Sequence, residues 1–285
     1  MSFFNRRRFI PVIGRPSAVP AGLWQKCPGC KQAVFRAEVE KNLQVCPVCG
    51  YHYRIGALER IRILTDPGTF TETHAEIVSA DPLGFVSDGE SYPSRLKRAE
   101  KVSGLTQALL TGLARIEDAL TVLGVVDWRF IMGSMGSAFG ERFCRAAQDA
   151  IEQRLPYVCF AASGGARMHE GTLALMQMVK TSNAVRAMNE AGVPFISVLT
   201  DPTSGGVFAS FASLGDVVLA EPNAYIGFAG TRLIEGALGV KTPKGFQRSE
   251  YQYENGFLDA IVPRRELRPY LGRLLRYLTP SAAKP

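Results

Sequence analysis

Residues 156–167 read PYVCFAASGGAR, and residues 194–208 read PFISVLTDPTSGGVF. In each stretch a run of apolar residues leads into Ser-Gly-Gly and then into sequence compatible with a helix. Short apolar runs bounded by glycine are typical of buried strands. A buried strand that passes through a tight turn into a helix is the repeating unit of an α/β sheet. The two stretches therefore predict strands over 156–162 and 194–199, each followed by a glycine loop at an equivalent place and then by a helix.

The alternation of strands and helices continues on both sides of these stretches. Because strands that alternate with helices are joined by right-handed crossovers, we expect a mostly parallel sheet. From about residue 264, leucines at helical spacing predict a basic amphipathic helix that packs on the protein or forms an oligomer face. The remaining predicted strands are 119–126, 216–220 and 224–227, and the predicted helices are 55–64, about 137–152, about 173–189 and one that begins near 207.

The two glycine loops are candidates for binding negative charge. Glycine lets the backbone approach a ligand closely, and the first N–H groups of a helix have no partner within it. The helix dipole also favours an anion there. The loops lack the Gly-Lys-Ser/Thr ending of a P-loop and the G-x-G-x-x-G dinucleotide fingerprint. Oxyanion stabilisation is the remaining catalytic interpretation, and two tight turns that only permit packing are the alternative.

Candidate catalytic side chains are scarce. The G-x-S-x-G elbow of α/β-hydrolases is absent. The histidines are His52, His74 and His169. His169 follows the first glycine loop and is a candidate proton carrier or phosphate contact, although an exposed place in a first helical turn is the favoured interpretation. Since no carboxylate pair has the spacing of an acid/base dyad, we expect the reactants to supply their own base.

Four cysteines near the start of the chain predict a metal site. They lie in two C-x-x-C pairs, CPGC at 27–30 and CPVC at 46–49, which is the spacing of a four-cysteine zinc site. Such a shell is closed, whereas a catalytic zinc keeps one position open. Cys27, Cys30, Cys46 and Cys49 are therefore predicted to hold one structural zinc ion. Paired disulfides and a redox C-x-x-C are the disfavoured alternatives.

The composition of the 285-residue chain predicts one main domain and a small one. No stretch approaches the roughly 18 apolar residues of a membrane span, and the basic start is not followed by a signal-peptide core, so we expect a cytoplasmic protein. Cys144 and Cys159 are expected to be buried thiols. Residues 1–62 hold 11 Lys and Arg against 3 Asp and Glu, so this segment is a candidate polyanion-binding face or an ordinary solvated surface.

Longer motifs in this chain resemble one family, the β subunit of the carboxyltransferase component of bacterial and plastid-type acetyl-CoA carboxylase. The resemblance covers nearly the whole chain, and several long motifs in the correct order are more specific than a single loop. The motifs are CPGC at 27–30, CPVCGYH at 46–52, DPGTF at 66–70, MGSMGS at 132–137, ASGGARM at 162–168, TDPTSGGV at 200–207, EPNAYIGFAG at 221–230 and GFLD at 256–259.

The resemblance implies a fold and a reaction. The fold is a crotonase-like (ClpP/crotonase) spiral of ββα units over residues 53–285, with the zinc ribbon as an N-terminal appendage. The residues themselves place this ribbon at 23–52, with a predicted strand at 34–39, after a flexible basic arm over 1–22. The reaction is carboxyl transfer from carboxybiotin to acetyl-CoA, which gives malonyl-CoA in the first committed step of fatty acid biosynthesis.

The resemblance also implies partners and site residues. Biotin comes on a separate biotin carboxyl carrier protein, and ATP is used by a biotin carboxylase component. A carboxyltransferase α subunit completes an α2β2 heterotetramer, without which the chain is expected to be inactive. By position, the backbone N–H groups of Gly165, Ala166, Gly205 and Gly206 are the implied oxyanion donors.

Some positions depart from the family pattern. His169 stands where glutamine is usual, and residues 231–236 read TRLIEG where Pro-Arg-Val-Ile-Glu is expected. Arg167 and Arg232 are candidates for contacts with the CoA phosphates or for structural ion pairs.

Two other functions remain open from the sequence, besides a purely scaffolding role for an inactive crotonase-like fold. One is a related subunit of a biotin-dependent acyl-CoA carboxylase or decarboxylase that uses another acyl group. The other is a zinc-ribbon protein that binds nucleic acid through its basic segment.

Overall fold

An eight-stranded sheet forms the centre of the protein, and a computed structural model describes residues 23–279. The predicted arm over 1–22 lies outside the described residues. The strands are β1 (Trp24–Lys26), β2 (Ala33–Phe35), β3 (Thr71–Thr73), β4 (Val86–Ser87), β5 (Glu90–Ser91), β6 (Leu109–Ile116), β7 (Ala119–Val126), β8 (Tyr157–Ser163), β9 (Phe195–Ser204), β10 (Val217–Ala220), β11 (Ile226–Gly227) and β12 (Ala260–Ile261). The helices are α1 (Arg36–Lys41), α2 (Ala57–Leu64), α3 (Tyr92–Ser103), α4 (Ser137–Gln153), α5 (Thr172–Glu190), α6 (Gly205–Phe208), α7 (Thr231–Leu238), α8 (Ser249–Glu254) and α9 (Arg264–Leu278).

The sheet is mostly parallel, as the alternation of elements predicted. Its order is β12-β10-β9-β8-β7-β6-β3, and β11 pairs with the end of β9. Strands β7, β8, β9, β10 and β12 run parallel, whereas β6 forms an antiparallel hairpin with β7 and β3 runs antiparallel to β6. The register pairs Ser163 of β8 with Thr203 of β9. The ends of these two strands, where the glycine loops begin, are therefore neighbours.

Apolar layers cover both faces of the sheet. On one face, α4 contributes Phe143, which packs on Tyr157 and Phe195 of the strands. On the other face, α9 buries Leu271 and Leu275 completely. Fully burying a leucine stabilises a fold by roughly 1.5–3 kcal/mol. The predicted tail helix is thus confirmed, and the face it presents to the sheet is a packing face.

The cysteine-bearing unit differs from the sequence prediction in one element. A strand was predicted over 34–39, but β2 ends at Phe35 and the chain turns into the helix α1. Residues 36–41 read RAEVEK, in which Ala, Glu, Lys and Arg are good helix formers. Within α1 only Val39 is buried, in the small core that also contains Cys27 and Cys46. A single buried residue thus anchors this six-residue helix, and the predicted strand is wrong beyond Phe35.

The region around the second glycine loop also differs. Strand β9 continues to Ser204, five residues past the predicted stop, because β11 offers its end a parallel partner. The helix that was expected to begin near 207 is only the four-residue α6, followed by a 3₁₀ turn at Phe211–Ser213. A helix this short has a small dipole, so its free N–H groups matter more than a macrodipole.

Candidate functional site

The first glycine loop is held by its own serine and by the segment that precedes α4. The N–H of Gly164 donates to the carbonyl of Met132 at 2.9 Å, and the N–H of Gly165 donates to Ser163 Oγ at 3.0 Å. Met135 forms a parallel bridge with Ala166. The N–H of Met135 donates to the Gly165 carbonyl, and the Met135 carbonyl accepts from the N–H of Arg167. Within residues 23–279, no acceptor meets the N–H of Ala166.

The second glycine loop shows the same division between an occupied and a free donor. The N–H of Gly205 donates to the carbonyl of Phe228 at 3.0 Å. Gly206 follows in the first turn of α6, where an N–H has no partner within the helix, and its N–H meets no acceptor in the described part of the chain. Each loop therefore offers one free backbone donor, at Ala166 and at Gly206, while the other two candidate donors are engaged.

The two loops touch each other through their glycines. An ideal Cβ on Gly165 would lie 3.2 Å from both the Cα of Gly205 and the N of Gly206, and Gly165 has a φ of +118°. A Cβ on Gly205 would lie 3.1 Å from the Cα of Gly165, at a φ of +58°. These contacts are with backbone, which cannot move aside cheaply. Glycine at both positions therefore permits the close approach that brings the two loops together.

Arg167 is a structural residue, one of the two alternatives that the sequence left open. Its side chain is fully buried. Its guanidinium donates to the carbonyl and hydroxyl of Ser134, to Gln107 Oε1 at 3.1 Å, to Ser79 Oγ at 2.8 Å and to the Tyr92 hydroxyl at 3.1 Å. Arg167 thus ties the segment before α4 to the first glycine loop. The side chain of Arg232, the other candidate, lies outside what the structure describes.

Glu170 was not singled out from the sequence, yet it fixes the same region. Its carboxylate is buried and accepts the Tyr92 hydroxyl at 2.6 Å and the N–H of Ser137 at 2.5 Å. Ser137 is the first residue of α4, so the carboxylate caps an orphan donor at a helix start. A Cβ on Gly136 would lie 2.3 Å from Glu170 Oε1. Glu170 is therefore engaged in structural hydrogen bonds.

His169 lies on the wall of a cavity, which differs from the exposed place in a helical turn that was favoured from the sequence. It is half-buried in a 3₁₀ turn, and its ring stacks on Tyr92 with 5.0 Å between centroids. Burial lowers the pKa of His169, and the cationic Arg95 and Arg167 lower it further. Its Nδ1 is buried without a hydrogen-bond partner among residues 23–279.

The cavity beside His169 measures about 490 Å³ and borders the first glycine loop. Its wall includes Trp128 and Met132, which lie 3.6–3.7 Å from an ideal Cβ on Gly164. Three arginines also line it, Arg95, Arg98 and Arg129. Opposing charge comes from Asp88 and Glu90 beside Arg95, from Glu90 beside Arg98 and from Asp127 beside Arg129. The cavity thus combines apolar walls with arginines that are paired with carboxylates.

The four predicted cysteines come together in one cluster. Their sulfur atoms all lie within 4.8 Å of one another, and the Sγ atoms of Cys27 and Cys49 are 3.7 Å apart. A tetrahedral site with Zn–S bonds of about 2.3 Å has sulfur–sulfur edges of about 3.8 Å. Burial raises the pKa of the Cys27 thiol, but backbone N–H groups including that of Cys30 outweigh it and lower the pKa to about 6, whereas burial raises the pKa of Cys46. The cluster fits one structural zinc ion held by thiolates.

The other two cysteines are free thiols. Cys159 is fully buried, as expected, and burial raises its pKa to about 12. Cys144 is only half-buried, so the expectation of burial holds for one of the two.

The cysteine-bearing unit is joined to the sheet by a buried ion cluster. Arg264 donates to both carboxylate oxygens of Glu221, and Arg60 donates to one of them at 2.7 Å. The guanidinium of Arg264 also donates to the carbonyls of Leu43, Gln44 and Tyr53. Burial would raise the pKa of Glu221, but the two arginines hold it well below its usual range. The metal unit is therefore fastened at the end of β10.

A second contact lies just after this unit in the chain, between Arg54 and the cavity wall. Arg54 donates to Asp201 Oδ2 at 2.9 Å, and its guanidinium lies 4.6 Å from the centre of the Trp128 ring. Asp201 belongs to β9, shortly before the second glycine loop. Arg54 thus links the segment that follows the ribbon to the strand that leads into the second glycine loop, and the division of the chain near residue 53 stays a prediction.

Comparison with known proteins gives consistent results. Residues 54–264 match the model of the carboxyl transferase domain, and residues 24–49 match that of the acetyl-CoA carboxylase zinc finger domain. The chain is 46% identical over 277 residues to the acetyl-coenzyme A carboxylase carboxyl transferase subunit beta of Carboxydothermus hydrogenoformans, which covers 96% of this chain and 98% of that protein.

A second relative is longer. The chain is 48% identical over 258 residues to the acetyl-coenzyme A carboxylase carboxyl transferase subunits beta/alpha of Natranaerobius thermophilus, over 90% of this chain and 42% of that protein. It therefore spans less than half of this relative.

Solved structures agree on the fold. The transcarboxylase 12S structure with methylmalonyl-coenzyme A and methylmalonic acid bound has a TM-score of 0.67 at 20% identity, over 84% of this chain and 43% of that one. At this identity the likeness shows the fold alone. The expected crotonase-like α/β fold with a four-cysteine ribbon is confirmed. Among residues 23–279, no helix is long and apolar enough to span a membrane.

Proposed function

The chain belongs to the family of β subunits of the acetyl-CoA carboxylase carboxyl transferase, and on that premise we propose how its own residues act. Its activity is carboxyl transfer. The proposed acceptor is acetyl-CoA and the proposed product malonyl-CoA, at the first committed step of fatty acid biosynthesis. Carboxybiotin, on a biotin carboxyl carrier protein charged by an ATP-dependent biotin carboxylase, supplies the carboxyl group when bound.

The observation that carries the proposal is the pair of free donors at Ala166 and Gly206. Transfer of a proton from the acetyl methyl group to a base that the reactants themselves supply places negative charge on the thioester oxygen. Two preorganised N–H groups stabilise such an oxyanion, and removing one donor typically costs about 10²–10³ in rate. Of the four donors expected from the sequence, Gly165 and Gly205 are proposed to shape the loops, because their own N–H groups already donate to Ser163 and Phe228.

The cavity beside the first loop is the proposed place for coenzyme A. Guanidinium groups pair well with phosphates, and Arg98, the most exposed arginine of the three in its wall, is the proposed phosphate contact. Trp128 and Met132 provide an apolar surface next to Gly164. This arrangement would place the thioester end of the ligand beside Ala166.

The proposed partner is a carboxyltransferase α subunit in an α2β2 assembly. Large apolar side chains on α5 are exposed: Leu173, Leu175, Met176 and Val179. An exposed apolar patch marks an interaction site. In the Natranaerobius thermophilus relative, beta and alpha subunits are named together for a single chain. We therefore propose that the α subunit covers this face. A cytoplasmic location of the protein remains a prediction.

Reconstitution with the α subunit tests the proposal. The purified chain and α subunit are mixed with acetyl-CoA and the carboxybiotin-bearing carrier protein, and malonyl-CoA formation is measured. Gly206→Val should lower the rate at least about 100-fold, since it disturbs one donor. Gly236→Val is the matched control, because an ideal Cβ on Gly236 meets nothing within 4 Å. An assembled Gly206→Val complex with an unchanged rate would contradict the oxyanion role.

Binding of nucleic acid through the basic segment is the less favoured function. Arg60 is buried in the ion cluster, and Arg54 is paired with Asp201. Part of the basic excess therefore serves internal contacts, while Lys26, Lys31 and Lys41 remain exposed. Salt-dependent binding of RNA or DNA by the full chain, lost on reversing these three charges, would support this activity.

A further inference from the structure

A methionine of α5 reaches the second glycine loop. An ideal Cβ on Gly206 would lie 2.9 Å from Met178 Sδ and 3.4 Å from Met178 Cγ, and the next neighbour is the Ala166 Cβ at 3.6 Å. The end of Met178 therefore rests against the Cα of Gly206, beside the residue that carries the other free donor. Gly206 does not have a positive φ, so glycine here gives room to Met178, and an added Cβ would have to displace the flexible end of that side chain.

The position of Met178 relates it to the acyl group of a substrate. An oxygen held by the Ala166 and Gly206 N–H groups lies about 2.9 Å from each nitrogen. The acyl carbons attached to that oxygen then lie within a few bond lengths of Gly206, where the sulfur of Met178 occupies the adjoining space. We propose that Met178 is the wall that limits the length of the acyl chain, so that acetyl-CoA is preferred over longer acyl-CoA thioesters. This inference rests on the proposed function of the two donors.

Other properties of Met178 support this role. It packs partly buried against the main core, while its helical neighbours Leu175 and Val179 are exposed. The Met178 side chain thus lies between the interior of the protein and the α5 face that the α subunit is proposed to cover. Methionine is unbranched and flexible, and it fills irregular gaps. One extra methylene in an apolar pocket changes selectivity by about 10–200-fold, so a single side chain is enough to discriminate between acetyl and propionyl groups.

The test compares acyl groups in the reconstituted complex. Values of kcat/KM for acetyl-, propionyl- and butyryl-CoA are measured for the wild type, Met178→Ala and the size-matched control Met178→Leu. Met178→Ala should raise the ratio of propionyl to acetyl activity at least about tenfold, and Met178→Leu should leave it within about threefold of the wild type. If Met178→Ala does not fold or assemble, Met178→Val replaces it and should raise the ratio in the same direction.

The outcomes separate the two levels of the proposal. An assembled Met178→Ala complex that is active with acetyl-CoA and has an unchanged ratio of propionyl to acetyl activity contradicts the role of Met178 in limiting the acyl chain. It leaves the proposed function intact. A wild-type complex that carboxylates no acyl-CoA contradicts the proposed function and this inference with it.

A second variant tests the contact itself. Gly206→Ala adds a Cβ in the space of the Met178 sulfur and should lower acetyl-CoA activity. The double variant Gly206→Ala/Met178→Ala should be at least about tenfold more active with acetyl-CoA than Gly206→Ala alone, because contacting residues are energetically coupled. Additive effects of the two substitutions would show that the side chains do not meet, and would overturn the inference.

Discussion

Arg264 donates to both carboxylate oxygens of Glu221, at 2.8 Å each, and both side chains are almost completely buried. Arg60 adds a second guanidinium to the same carboxylate. One carboxylate therefore compensates two buried cations where the zinc ribbon meets the sheet.

Removing the charge of Glu221 should strongly destabilise the protein. Glu221→Gln leaves Arg60 and Arg264 without a buried counter-charge, and breaking such a pair costs about 3–5 kcal/mol. Denaturant unfolding measures the loss. Glu59→Gln is the control, because its pair with Arg62 is largely exposed and should contribute less than about 1 kcal/mol. Equal effects of the two substitutions would argue against the buried cluster.

Acidification should weaken the attachment of the ribbon through His52. Its Nδ1 lies 2.9 Å from the Gly50 carbonyl, and its Nε2 accepts the N–H of Arg264 at 3.1 Å, so the neutral ring is required. Burial lowers the pKa of His52. The unfolded chain thus takes up the proton first, and this contribution to stability is present above about pH 6.5 and lost as the pH falls towards the folded pKa.

Free energies of unfolding between pH 7.5 and 5.5 check this prediction for His52. The wild type should lose up to about 1.4 kcal/mol more per pH unit than His52→Gln, which does not titrate. The zinc thiolates titrate in both proteins, so the difference isolates the histidine. Parallel curves of unfolding free energy against pH for the wild type and His52→Gln would contradict the contribution of His52.

The effect on stability of a substitution in the first glycine loop should depend sharply on which glycine is replaced. Gly165→Ala places a Cβ against the backbone of Gly205 at a φ of +118°, which costs about 1–3 kcal/mol of strain. It should also separate the loops and reduce carboxyl transfer. Gly164→Ala meets only ordinary contacts at 3.6 Å and beyond, so its stability should stay within about 0.5 kcal/mol of the wild type. Thermal unfolding of both variants, with the transfer assay for Gly165→Ala, tests the difference.

Loss of one cysteine should release the zinc ion and unfold the ribbon alone. Cys27→Ser removes a buried thiolate from the four-cysteine cluster, and structural zinc contributes directly to folding. Zinc content should fall from one ion per chain to none. Hydrogen exchange should show lost protection in β1 and β2, with β8 and β9 still protected. Cys144→Ser, outside the cluster, should keep the metal; retention of zinc by Cys27→Ser would contradict the site.

The sheet strands were predictable because each carries its own apolar run. Strand β7 has the predicted bounds, and β8 differs from its prediction by one residue at each end. Helix α3 was missed, although Tyr92, Leu96, Ala99 and Ser103 have helical spacing and are its buried residues. Its other positions are mostly charged, which concealed the pattern. The end of β9 was misjudged because its partner β11 is distant in sequence.

The sequence by itself determined the α/β class, the zinc ribbon and the presence of two Ser-Gly-Gly loops, because apolar periodicity and C-x-x-C spacing are local properties of the chain. Only the tertiary structure decided which loop donors are occupied. Gly205 finds the carbonyl of Phe228, Gly165 turns back to Ser163, and Met178 arrives from α5 to lie against Gly206. A backbone N–H has the same chemistry at every residue, so its availability depends on which distant groups the folded chain brings beside it.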